Sequence, residues 1–332
     1  MSIELFKHIY FRLPIVLRLL ITIFIIMIFF GAVIHLIEPE QFPSIFDGIW
    51  WAFVTGATVG YGDYVPLTIL GKTTGILLIL SGGGLLTFYI TTLSAATIKH
   101  ERNLSKGEIA FKGKNHIIFI GWNERTKQLV EMAIKHNPSI EIVLIDRSLH
   151  HLSYQEFPVH FIHGDPCEDI TLRHANIATA KCVVISADVS KKERQADNDT
   201  ILTTVTVRGN HKQLPIIAEV LAHSQVENAL RAGANTIIRS NDFMSLLFYH
   251  ELFHEKSAQP FETILHLLTH QQFSQTVLPE QWIDRPVHEI ADDFLKKQHI
   301  FLGIIRVDTW KINPSPDFIL KEDDIVLTLS PW

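Results

Sequence analysis

Twenty-six consecutive residues without a charge, from Thr73 to Ile98, constrain this chain more than any other stretch. A helix needs about 20 apolar residues to cross a bilayer and rises about 1.5 Å per residue, so this run crosses with length to spare. A second run of 19 residues lies between Arg18 and Glu38 and departs from apolar character only at Thr22, Gly31 and His35. It is too long and begins too late for a secretory leader, and no small-residue cleavage site follows it. Charged residues make up 19% of the 332, against about 25% in soluble proteins, and the shortfall lies in the first hundred. The two cysteines, Cys167 and Cys182, exclude a disulfide scaffold. The net charge of −6 argues against a general nucleic-acid binder.

The flanks predict an orientation. Lys7, Arg12 and Arg18 precede the first span; Lys99, Arg102 and Lys106 follow the second; Glu38, Glu40, Asp47 and Asp63 lie between them. Excess Lys and Arg stay cytoplasmic, so both termini are expected inside a cell membrane and residues 38–71 outside. Residues 1–18 read either as an interfacial amphipathic segment, with aromatics and spaced basic residues over Leu5–Leu17, or as a disordered lead-in. Residues 42–57 are apolar and aromatic but too short to span. With Pro43 and Ser44 at the start and a glycine near the end, they read as a re-entrant half-helix.

Thr58-Val59-Gly60-Tyr61-Gly62-Asp63 follows directly. Two glycines permit backbone conformations that aim successive carbonyls along one axis, which residues with a Cβ resist. Thr58 adds a hydroxyl, Val59 and Tyr61 point away, and Trp50 and Trp51 are their expected packing partners. The half-helix turns its negative C-terminal end toward a cation. In this position the stretch resembles the TVGYG selectivity filter of potassium channels, four copies of which replace the ion's hydration shell with carbonyl oxygens. The resemblance implies K+ as the permeant ion, bound by Thr58, Val59, Gly60 and Tyr61, and a homotetramer closed around the pore. Many such pores carry a Glu behind the filter where this chain has Val54. Gly82-Gly83-Gly84 interrupts the second span and reads either as a gating hinge, centred on Gly84, or as a close helix contact.

From Asn115 the pattern alternates strand and helix. Strands are expected at 116–121, 140–145, 159–162, 183–186, 215–219 and 236–238, with helices at 124–136, 198–207 and 226–232. This predicts a doubly wound parallel sheet, with ligands at the strand C-termini. Gly121-Trp122-Asn123-Glu124-Arg125-Thr126 keeps only the first glycine of a dinucleotide fingerprint. Asp146 stands where a ribose-binding acid belongs and equally suits a turn cap; Arg147 suits a phosphate. Asp165 completes this candidate nucleotide site with Gly121, Asn123, Asp146 and Arg147. No nucleophile elbow or metal-protease helix is present, so no enzyme is expected.

IIFIGWNERT, VHFIHGDP, IIAEV and the AGAN of residues 232–235, in that order after a pore, resemble the RCK (regulator of K+ conductance) domain. The whole chain resembles prokaryotic two-transmembrane potassium channels with a C-terminal RCK domain, of the calcium-gated kind. The resemblance implies an α-helical membrane pore joined to an α/β Rossmann-like domain with a small α+β C-terminal lobe. Its parts are a pore at 19–98, a linker at 99–114, an RCK N-lobe at 115–242, crossover helices at 243–275 that pair two RCK domains, and a C-lobe at 276–332. Paired domains would form a gating ring that a small ligand shifts, either an adenine nucleotide such as NAD, ADP or ATP, or Ca2+. Glu219 matches one acid of the calcium cluster, Leu221 replaces another, and Asp188 stands near a third. Calcium takes six to eight oxygens, so this cluster is poor. Eighteen histidines leave proton sensing open. The competing readings are a membrane-tethered nicotinamide-dependent oxidoreductase and a weakly selective cation leak.

Overall fold

The computed structural model describes residues 10, 12–253 and 260–332. Most of the N-terminal segment 1–18, and residues 254–259 of the crossover segment, lie outside the described residues. The chain divides into two compact units, one of residues 1–219 with 226–237 and one of residues 220–225 with 238–332.

In the first unit, helix α1 (Ile15–Ile37) and helix α3 (Ile69–Ser105) are both long and apolar enough to cross a membrane. Helix α1 starts just after Pro14, earlier than the apolar run, and takes Arg18 into its first turns. The short helix α2 (Ile45–Gly56) lies between them. Ser44 caps it in a reciprocal box with Asp47: the Ser44 hydroxyl accepts from the Asp47 N–H while the Asp47 carboxylate accepts from Ser44. Helices α1 and α2 meet backbone to backbone. A Cβ on Gly48 would fall 2.2 Å from the Gly31 carbonyl oxygen, and one on Gly31 would fall 2.5 Å from the Ile49 nitrogen. Small residues permit such contacts between membrane helices. Ile23, Met27, Ile34, Phe42, Trp51, Ala52 and Leu78 pack the core of these three helices.

Glu38 joins the ends of the spans. Its carboxylate accepts from the N–H of Leu67 (2.9 Å) and of Thr68 (2.8 Å) and from the Thr68 hydroxyl (2.6 Å). Thr68 is itself the N-cap of α3, so a negative charge meets the positive end of that helix. Burial pushes the Glu38 carboxyl up, but these bonds outweigh it and leave it below the usual range.

Helix α3 is π-helical over Ile79–Gly83. Below it comes a six-stranded sheet in the order β3-β2-β1-β4-β5-β6. Its strands are β1 (Ile117–Ile120), β2 (Ile142–Asp146), β3 (His160–His163), β4 (Cys182–Ile185), β5 (Ile216–Val220) and β6 (Thr236–Arg239), and β1 to β5 pair in parallel. The helices between them are α4 (Glu124–His136), α5 (Asp169–His174), α6 (Glu193–Asn210) and α7 (Val226–Arg231). Near-continuous Ile and Val runs make these strands, as expected when both faces are covered. The central strands β1, β2 and β4 bury Ile118, Ile120, Val143, Ile145 and Ile185. Helix α6 begins five residues before the expected 198, because its first turn is polar and hides the apolar period.

In the second unit, α8 (Ser240–Phe253) and α9 (Pro260–His270) precede an antiparallel sheet ordered β7-β10-β8-β9, with helix α10 (Val287–Lys296) packed on β8. The strands are β7 (Gln271–Val277), β8 (Ile300–Arg306), β9 (Thr309–Ile312) and β10 (Ile325–Pro331). A crossover segment ending at 275 needs correction here. Gln271 to Val277 all pair with β10, so the C-terminal sheet opens at 271. The polar QQFSQT run conceals this strand, whose residues are partly or well exposed.

Asp324 is fully buried and receives both Arg306 Nε (2.7 Å) and Nη2 (2.6 Å), with the Lys321 N–H at 2.8 Å. Burial pushes its carboxyl up, and the Arg306 guanidinium outweighs that and holds it below the usual range. A carboxylate with a depressed folded pKa stabilises the fold above its ordinary range, near pH 4, and loses that contribution as pH falls through its folded value. Asp324→Asn takes the counter-charge from the partly buried Arg306 guanidinium and is expected to cost about 2 kcal/mol at pH 7. The loss should shrink in chemical melts at pH 3 and below.

Candidate functional site

The loop after α2 carries Thr58 to Gly62, the residues expected to form a filter. Thr58, Gly60 and Gly62 take left-handed backbone conformations at φ 58°, 61° and 78°, whereas Val59 and Tyr61 between them do not. Alternating handedness of this kind lines successive peptide groups up in one direction. Space does not demand the glycines, since a Cβ on Gly60 or Gly62 would meet nothing within 4 Å. The positive φ demands them. Thr58 pays for the same geometry without being a glycine, which marks stored strain.

One face of α2 holds this loop. The Val54 carbonyl, left over at the helix end, accepts from the N–H of Val59 (3.0 Å) and Gly60 (3.3 Å). Trp50 stacks on Tyr61 at 6.0 Å and donates to Asp63 at 2.8 Å. Tyr64 donates to Asp47 at 3.0 Å. Trp50 is thus the expected partner of Tyr61, whereas Trp51 turns into the helix core against Phe42. Val54 acts through its carbonyl, which any residue supplies. The contributions of Asp47 and Tyr64 went unseen in the sequence, although the spacing 47, 50, 54 on one helix face was the available signal.

At the triplet, the three glycines differ. A Cβ on Gly82 would press Met27 at 3.0 Å and Leu78 at 3.1 Å; one on Gly83 would have only the Gly56 carbonyl, at 3.8 Å; one on Gly84 would meet nothing. Packing therefore accounts for Gly82 and not for Gly84. The Ser81 and Thr87 hydroxyls bond back to the carbonyls of Leu77 and Gly83 on either side, a habit that bends helices. Thr91 and Thr92 make the same kind of bond to Thr87 and Phe88.

In the α/β part, a cleft of about 250 Å³ opens beyond the C-terminal ends of the paired strands β1 and β4, at the switch point of the sheet. Gly121, Asn123, Asp146, Arg147, Asp165 and Asp188 all line it. Gly121 has φ 92°, and a Cβ there would fall 2.7 Å from the Ser186 hydroxyl. Asn123 caps α4, its carboxamide oxygen accepting from the N–H (3.0 Å) and hydroxyl (3.2 Å) of Thr126. It therefore holds the helix end on which a dinucleotide's pyrophosphate would otherwise rest.

Asp146 is buried and caps its own turn. One oxygen takes the N–H (2.7 Å) and hydroxyl (2.7 Å) of Ser148 and the N–H of Leu149 (2.8 Å); the other takes the Trp122 N–H (2.7 Å). The two loops flanking the cleft are thereby stapled together. Arg147 donates to Asp199 at 3.1 Å and lies 3.7 Å from Asp165. Lys191 pairs with Asp199 and lies 3.4 Å from Asp188. The bond to Asp199 raises the Lys191 pKa against the opposing effect of burial. Lys191 and Asp199 were missed in the sequence. Ala196, Asp199, Thr200 and Thr203 face the cleft at helical spacing along α6, which a periodicity count alone would place there.

The acids considered for calcium are otherwise engaged. Glu219 binds Arg125 at 2.7 Å and accepts from the Ala187 N–H at 2.8 Å, while Asp188 is held by Ser190 and Lys191. Among the described residues no group of three or more His, Cys, Asp or Glu is placed to hold a metal ion. Cys167 lies in the cleft beside Thr203, its thiol pushed up by burial, and Cys182 begins β4; both are free thiols.

Residues 22–99 match the family described as "Ion channel", and residues 117–240 match the family described as "TrkA-N domain". The chain is 38% identical to the "Putative potassium channel protein YugO" of Bacillus subtilis, over 96% of this chain and 97% of that one. The chain belongs to the RCK-linked potassium channels. The channel is also 31% identical to the "Calcium-gated potassium channel TvoK" of Thermoplasma volcanium, over 68% of its own length and 66% of TvoK's. Its fold is shared with the GsuK channel, at a TM-score of 0.53 and 16% identity, covering 95% of this chain and 57% of that longer one.

Asp146→Ala would leave four donors without their acceptor. It is expected to lower the stability of the α/β part by at least about 2 kcal/mol, read as an earlier urea transition, with the membrane helices unaffected.

Proposed function

We propose that four copies of this potassium channel surround one pore, and that their Thr58–Gly62 loops form a K+-selective filter. The observation that carries this reading is the alternating backbone handedness of the loop, set after a half-helix and between two spans. One loop supplies a quarter of a coordination cage, so the reading requires a closed ring. The basic flanks support a reading in which both termini lie on the cytoplasmic side of the cell membrane.

Gating would come from the sheet domains. Their cleft holds Arg147 and Lys191, which suit phosphate oxygens, and aspartates that suit ribose hydroxyls. GsuK has been solved with NAD bound, and TvoK is calcium-gated by name. We favour an adenine nucleotide, because Asp188 and Glu219 already carry Lys191 and Arg125. Paired domains would meet through α8 and α9, which expose Phe243, Leu246, Phe248, Leu252, Phe261 and Leu265. A ligand favouring one arrangement of that ring would draw on the linker and bend α3 near Gly84. It can do so only through its differential affinity for the two states.

Purified channel in liposomes should pass K+ in strong preference to Na+. Gly60→Ala, which forces a Cβ into a left-handed position in all four loops, should abolish that flux; unchanged flux would defeat the filter reading. NAD, ADP or ATP should raise the melting temperature of the channel, and Arg147→Ala or Lys191→Ala should weaken the apparent affinity about tenfold. A shift with Ca2+ and with none of the nucleotides would reverse the ligand assignment.

A further inference from the structure

We propose that Tyr64 and Asp47 are positioning residues for ion selection, a brace at the outer end of the filter that no carboxylate behind it duplicates. The inference rests on the filter reading above. Helix α2 presents Asp47, Trp50 and Val54 on one face, and the loop returns along that face in the opposite direction. Val54 holds Val59 and Gly60, Trp50 holds Asp63, and Asp47 holds Tyr64. The five-residue filter is therefore tied to a single helix at both its ends.

The inner tie is made of backbone and is indifferent to side chain. The outer ties depend on particular residues, and Tyr64 has the stiffer mount. Its ring stacks on Phe42 at 5.8 Å with an interplanar angle of 26°. Phe42 is fully buried, packs edge-on against Trp51, and its carbonyl is bonded by His35 Nδ1 at 2.7 Å. The Asp47 carboxylate is equally fixed. One oxygen receives the Ser44 N–H (3.0 Å) and hydroxyl (2.7 Å), which leaves the other to receive Tyr64 at 3.0 Å. A hydrogen bond to an ionised acceptor is about twice as strong as a neutral one. Between a stacked ring and a doubly bonded carboxylate, it sets the height of the chain just beyond Gly62. Val54 offers the loop only its carbonyl, so side-chain hydrogen bonding to the loop comes from this outer end.

The test uses the full-length channel in liposomes, reading the K+/Na+ permeability ratio beside the melting temperature and the yield of assembled channel. Tyr64→Phe removes one oxygen and keeps the ring in its stack. The ratio should fall about tenfold while melting and assembly stay at wild-type values. Asp47→Asn, which retains an acceptor toward Ser44 and turns an amide donor toward the Tyr64 oxygen, replaces the charged bond with a neutral one and should give a smaller fall; added to Tyr64→Phe it should lower the ratio no further, as expected for two ends of one bond. If Tyr64→Phe does not assemble, Asp47→Asn is read in its place. A wild-type ratio in the assembled variants overturns the brace and leaves the filter standing. A fall in melting temperature that tracks the fall in ratio also overturns it, because the pair would then serve only stability. A wild-type channel that does not discriminate K+ from Na+ defeats the filter reading, and the brace with it.

Discussion

The proposed filter depends on a row of backbone carbonyls, from Thr58 to Tyr61, facing a pore at membrane depth with a permeant ion in place of a protein donor. Each unsatisfied group in a low-dielectric setting costs several kcal/mol, so such a row survives only where something else makes good the loss. In the proposed pore that something is a passing cation. The remainder of the membrane half can be understood as what keeps those carbonyls in place while they wait. Helix α2 is capped tightly at one end by Ser44 and Asp47 and left open at the other, where Val54 holds the loop. Its close crossing with α1 at Gly31 and Gly48 fixes the platform. Glu38 then joins the far ends of α1 and α3, so that neither span can slide without breaking a charged contact.

The sheet domain solves a different problem with the same means. Its cleft is full of charge before any ligand arrives, yet each charge has a partner. Asp199 lies between Arg147 and Lys191, with Asp165 3.7 Å from Arg147 and Asp188 3.4 Å from Lys191. A phosphate entering there would exchange one anion for another rather than meet bare cations. Such an exchange is nearly balanced, which suits a reversible switch better than a permanent cofactor.

Much of this was legible in the sequence, and the reasons differ by element. The spans announce themselves because lipid tolerates no charge, and the filter because two glycines at fixed spacing answer a backbone requirement. The strands of the first sheet are long Ile and Val runs. Strand β7 escaped because its polar face is exposed and its register comes from β10, 48 to 60 residues further along the chain. Asp146 illustrates another limit. Position alone permitted ribose binding or turn capping; only the four donors around its oxygens show that capping occupies most of its capacity. Tyr64 and Asp47 are ordinary residues in sequence, and become a pair only when the loop doubles back along the helix.

The π-helical turn at Ile79–Gly83 has a bearing on how the second span is read. An α-helix turns about 100° per residue, and a π-bulge lodges an extra residue within one turn. Everything C-terminal to it is therefore rotated by about that angle relative to an uninterrupted helix. Thr74 and Leu78 above the bulge, and Thr87 and Thr91 below it, cannot be placed on faces by counting in sevens across the gap. The helix is two helical wheels on one axis, and the side that each turns toward the other helices is set separately.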